Sequence, residues 1–100
     1  MLVDDVSGNS LTEVVEEARI TANRESAYRT IDFISQTLES VPSVTATFCH
    51  KSRECKIVVT RKATNETLTT WIIHTDGQTP PVSLTQADII AVIRERPRKR

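Results

Sequence analysis

The chain has 100 residues, 38% of them hydrophobic and 26% charged, with 13 Lys and Arg against 13 Asp and Glu and so no formal net charge. This is the composition of one ordinary globular domain with room for one modest core, and it argues against disorder. The two glycines, Gly8 and Gly77, stand too far apart for a phosphate-cradling loop, and no apolar run approaches the ~18 residues of a membrane span.

The neutral total hides a division. Residues 1–50 carry eight acids against three arginines, −5, and residues 51–100 carry five acids against ten bases, +5. Such asymmetry can mark an acidic helical face and a basic contact surface, or two halves that neutralise each other. The first residues, MLVDDVSG, are acidic and lack the apolar core of a secretory signal, which leads to the expectation of an intracellular protein, cytoplasmic or nuclear.

Residues 1–9 read as a flexible leader. Ser10 followed by Glu13 is a capping box, and Leu11, Val14, Val15 and Ala18 then recur at helical spacing. A second stripe follows at Ala27, Ile31, Ile34 and Leu38, pointing almost opposite to the first if the helix were unbroken. The reading preferred here is a break around Thr21–Arg24, with Asn23 as N-cap and Glu25 in the new first turn. The alternative is one helix with two apolar sides, a pattern that usually serves an oligomer. Pro42 disfavours helical geometry at Val41 and ends the segment.

Val44–Thr75 reads as β-sheet. On the first strand Val44, Ala46, Phe48 and His50 share a face; on the second Cys55, Ile57 and Val59 do. Matching faces sets Phe48 opposite Ile57, Ala46 opposite Val59 and His50 opposite Cys55, with Lys51–Glu54 as the turn. That register sends Cys49 and Cys55 to opposite faces and excludes a disulfide between them. The third strand is ambiguous, since Leu68, Thr70 and Ile72 compete with Trp71 and Ile73 for the core face. Asp76-Gly77 marks a turn and Pro80-Pro81 an extended linker. Thr85 and Asp88 then cap a last helix, apolar nearly all round from Ala87 to Ile93 and expected to be buried on more than one side.

The predicted fold is therefore α+β: two N-terminal helices, a three-stranded antiparallel β-meander and a C-terminal helix. It forms one domain over residues 10–96, followed by a basic tail over residues 97–100. The order helix, sheet, helix is also that of double-stranded-RNA-binding domains, but the last helix opens on Thr85-Gln86-Ala87-Asp88 where such a domain would be expected to carry lysines for phosphate.

No chemistry-bearing constellation emerges. Cys49, His50, Cys55 and His74 are the soft-metal ligands, but a zinc site expects paired ligands at short spacing, and adjacent strand residues point apart. Asp4-Asp5 lies in the leader and Glu16-Glu17 on a solvated helix face, neither able to hold acid–base geometry. No enzyme, metal or cofactor is expected. The expected function is protein interaction or self-association as a homodimer, through the N-terminal helix or a sheet face carrying Thr47, Val58, Thr69, Trp71 and Ile73. The alternative is nucleic-acid binding through Lys51, Arg53, Lys56, Arg61 and Lys62 in the hairpins and Arg94, Arg96, Arg98, Lys99 and Arg100 at the C-terminus. No contact with a membrane is expected.

Overall fold

The computed structural model describes residues 7–94, with side chains from Leu11 onward. Of the predicted leader, residues 7–9 are helical and residues 1–6 lie outside the described part, as does the whole basic tail over residues 97–100. The element order is α1 (Ser7–Glu39), β1 (Val44–His50), β2 (Glu54–Arg61), β3 (Thr67–His74) and α2 (Gln86–Arg94).

The largest departure from the sequence reading is α1, which is one helix of 33 residues where two were expected. At 1.5 Å per residue it runs about 50 Å, twice the 24–25 Å to which the molecule extends along its two shorter axes. Thr21-Ala22-Asn23-Arg24 contains neither Gly nor Pro, so nothing in it forbids helical geometry. Asn23 does not cap a second helix. Its amide Nδ2 donates across the fold to the Gly77 carbonyl at 3.0 Å. The start lies upstream of Ser10, at Ser7.

The turn Asp76–Gln78 explains why the helix is held at this point. Gln78 N–H donates to Asp76 Oδ1 at 3.0 Å, closing an Asx turn. Gly77 takes φ of +82°, a left-handed conformation that glycine adopts freely. The turn then presses on α1 so closely that a Cβ at Gly77 would lie 2.5 Å from Ile20 Cγ2. Arg19 Nη1 adds a hydrogen bond to the Gln78 carbonyl at 3.1 Å.

The helix terminates as expected near Pro42. Val41 N–H reaches the Leu38 carbonyl at 3.0 Å, and the Ser40 hydroxyl donates to the Thr37 carbonyl at 2.7 Å. β1, β2 and β3 then form an antiparallel meander in that order. The register pairs Phe48 with Ile57, Ala46 with Val59 and His50 with Cys55, as face matching requires. β3 pairs Ile73 with Cys55, Trp71 with Ile57 and Thr69 with Val59.

A bulge between Val59 and Thr60 settles the third strand. It inserts Leu68 between Thr67 and Thr69, so Leu68 packs against the core together with Trp71. Ile73 is fully buried, while Ile72 turns outward and is 44% exposed. Strict alternation could not place Leu68, Trp71 and Ile73 on one face; the extra residue does.

The core lies between one face of the sheet and the helices. It joins Ala27, Ile31, Ile34 and Leu38 from the C-terminal half of α1 to Cys55, Ile57, Val59 and Ile73, closed by Ile89 and Ile93 of α2. α2 carries the predicted cap: Thr85 N–H donates to Asp88 Oδ2 at 3.0 Å, and Asp88 N–H to Thr85 Oγ1 at 3.1 Å. Removing the hydroxyl in Thr85→Ala should lower stability by about 1 kcal/mol in chemical denaturation. The expectation that α2 is buried on more than one side fails. Ile89 and Ile93 are buried, but Ala87 and Ala91 are exposed, because the helix rests on the edge of the layer and is not enclosed by it.

Candidate interaction surfaces

Helical geometry places the two stripes of α1 on the order of 180° apart. Ala27, Ile31, Ile34 and Leu38 are buried against the sheet. Leu11, Val14 and Val15 are 68%, 60% and 62% exposed, and every residue from 11 to 19 is exposed. From Leu11 to Ala18 α1 thus stands clear of the core with its apolar stripe in solvent, ahead of the stretch from Arg19 to Asn23 that the Asp76–Gln78 turn holds.

That outward face continues past the expected break. Ala22, Arg29 and Phe33 lie on it at helical spacing, all exposed, with Phe33 at 38%. Sequence reading missed these three because it stopped the first stripe at Ala18; extending the 3.6-residue period through Thr21–Arg24 finds them. Beside Phe33 the face opens into a shallow groove of ≈ 310 Å³, lined by Ser26, Arg29, Thr30, Phe33, Ser83 and Leu84.

The charged residues of this half, Glu13, Glu16, Glu17 and Arg19, are exposed and acidic on balance. Glu16 Oε2 accepts from Arg19 Nη2 at 2.6 Å. That hydrogen bond, and the charge of Arg19 behind it, hold the Glu16 carboxyl below the usual range. An exposed pair of this kind orders the Arg19 side chain more than it stabilises the fold.

The sheet's second face is also open, but it is not the predicted patch. Cross-strand neighbours there are Thr47, Val58 and Thr70 in one row and Cys49, Lys56 and Ile72 in the next. Of the five residues expected to form a partner surface, Thr47 and Val58 lie on this face. Trp71, Ile73 and Thr69 point to the helix side, because β3 pairs them with Ile57, Cys55 and Val59. Ile73 is fully buried and cannot belong to an exposed patch. The outward large side chain is Ile72.

Among the described residues the cations fall into separate groups, with Arg61, Lys62 and Arg94 towards one end of β2 and Lys51 and Arg53 at the other. Lys51 and Arg53 sit in the β1–β2 turn and Lys62 in the β2–β3 turn, at opposite ends of an eight-residue strand, a separation of ~25 Å. Lys56 projects from the open sheet face. Arg61 is half-buried and its Nη2 donates to the Ile93 carbonyl at 3.2 Å, closing the C-terminal end of α2. Arg94 is exposed at that helix end, and Arg96, Arg98, Lys99 and Arg100 lie outside the described residues.

Both cysteines are free, Cys49 exposed and Cys55 buried. Burial pushes the Cys55 thiol up, with a smaller contribution from Cys49, the opposite of what activates a thiolate nucleophile. His50 stands across the strand pair from Cys55, and His74 lies opposite Glu54. Among the described residues no three His, Cys, Asp or Glu side chains gather as a metal site would require.

The thiols give a direct test of this placement. Cys49 should react with a thiol reagent at the rate of an exposed cysteine, and Cys55 only as the protein unfolds. Because its folded pKa is raised, Cys55 keeps its proton longer in the folded state. Its contribution to stability is therefore complete below the unfolded thiol's pKa of ~8.5 and declines as pH rises past it.

No family model, no curated protein and no solved structure matches this chain. Among the described residues, no helix is long and apolar enough to cross a membrane.

Proposed function

We propose that this protein is a non-enzymatic interaction module that acts by self-association through the outward face of α1. One observation carries the reading: a continuous helix exposes Leu11, Val14 and Val15 by 60–68% on the side opposite its core stripe. Aliphatic side chains in a repeated stripe along a projecting helix are stable partners for another helix and poor neighbours for water. Each fully buried Val or Leu is worth roughly 1.5–3 kcal/mol relative to exposure, so covering this stripe favours association.

The described cations, divided between the two ends of β2, give less support to nucleic-acid binding. Phosphate recognition needs cations gathered along one surface, and Arg61 is already engaged at the end of α2.

Light scattering coupled to size separation, run across the micromolar range, is the test. A dimer is expected. Leu11→Glu combined with Val15→Glu should give a monomer with an unchanged far-ultraviolet circular dichroism spectrum, because neither side chain is part of the protomer's core. A wild-type monomer at every concentration would defeat the proposal.

A further inference from the structure

Resting on that reading, we infer that the occupant of the α1 outer face is a second copy of this chain, running antiparallel about a two-fold axis at Ala22. Along the centre of that face, with Val14 at its edge, lie Leu11, Val15, Ala18, Ala22, the half-buried Ser26, Arg29 and Phe33. Their spacings are four, three, four, four, three and four, the same read in either direction from Ala22. A two-fold interface requires this self-complementarity, since residue i must meet j wherever j meets i. Reversal sets Leu11 against Phe33 of the second copy, Val15 against Arg29, Ala18 against Ser26, and Ala22 against itself.

Side-chain size follows the same symmetry. Small residues at the centre allow two helix axes to approach closely, and the larger Leu11 and Phe33 lie at the two ends. The mean spacing is close to the ~3.6 residues per turn of a straight α-helix, so the stripe stays facing its partner without strong supercoiling. The groove beside Phe33, with Leu84 and Ser83 as its far wall, lies where Leu11 of the second copy arrives. Over this contact of ~35 Å, the projecting arm of each copy lies along the body of the other, and the two sheets stay on the outer sides.

Charge selects antiparallel over parallel. Described residues 11–22 carry Glu13, Glu16, Glu17 and Arg19, a net −2, whereas residues 23–33 carry Arg24, Glu25, Arg29 and Asp32, a net zero. Parallel pairing would set −2 beside −2 and align two helix dipoles; antiparallel pairing sets the acidic arm beside a neutral segment and opposes the dipoles.

Cross-linking with a short bis-maleimide, in a Cys49→Ser background, tests the geometry. Ala22→Cys should form a cross-linked dimer in high yield. Leu11→Cys and Phe33→Cys should each stay largely uncrosslinked alone and form a cross-linked heterodimer when mixed. Leu11→Cys linking efficiently to itself would overturn the antiparallel arrangement in favour of a parallel one. A dimer in light scattering that gives no cross-link at Ala22→Cys would overturn this interface while leaving self-association standing. A monomer throughout would overturn both.

Discussion

Gly77→Ala should lower unfolding stability by about 2–5 kcal/mol, a large share of the ~5–15 kcal/mol that holds a small domain. Two independent effects add. The φ of +82° is tolerated by glycine, whereas a residue with a Cβ pays on the order of 1–2 kcal/mol there. The new Cβ would also lie 2.5 Å from Ile20 Cγ2 and 2.6 Å from the Ile20 carbonyl oxygen. The second atom is helix backbone and cannot retreat without disturbing α1, so an overpacking penalty of roughly 1–3 kcal/mol follows. Equilibrium urea unfolding gives the measurement, with Asn23→Ala as the reference. That variant loses the single hydrogen bond to the Gly77 carbonyl, worth about 1 kcal/mol. If Gly77→Ala were no more harmful than Asn23→Ala, the turn would not be wedged against the helix.

This same contact shows where the sequence could and could not be read. The Asp76-Gly77 turn was evident from its residues, and so was a helical pattern from Leu11 to Ala18. That the one lands on the other was not, because the two are far apart in the chain and no local rule relates them. The expected break at Thr21–Arg24 came from treating two opposed stripes as two helices. Local propensity permitted continuity, and a tertiary contact from the turn fixed it. The β1–β2 register, by contrast, followed from alternation together with a four-residue turn at Lys51–Glu54, since a one-residue slip would turn Ile57 and Val59 away from Ala46 and Phe48. Alternation failed on β3 for a definite reason: Leu68 is the extra residue of a bulge, and a period of two cannot anticipate an insertion. The candidate site shared both fates. Leu11, Val14 and Val15 were legible as a stripe, whereas Ala22, Arg29 and Phe33 required knowing that the helix runs on.

The core and the outward stripe should respond to truncation in different ways, and Ile57→Ala against Val15→Ala makes the comparison. Ile57 is fully buried on the central strand, with Phe48 and Trp71 as its cross-strand neighbours. Paired strands on both sides hold the backbone in place, so the cavity left by truncation cannot collapse. A loss of roughly 2–5 kcal/mol is expected, independent of protein concentration. Val15→Ala removes methyl groups that the protomer leaves 62% exposed; at concentrations where the chain is monomeric its effect should stay within about 0.5 kcal/mol. At higher concentrations, where association adds to the stability of the wild type, the same substitution should become destabilising, because it weakens an assembly that only the folded state forms. Concentration-dependent thermal unfolding of the two variants separates the cases. Val15 behaving like Ile57, harmful even when dilute, would mean that the stripe is packed within the protomer. A gap between the variants that narrows with concentration is what an outward face built for a second helix requires.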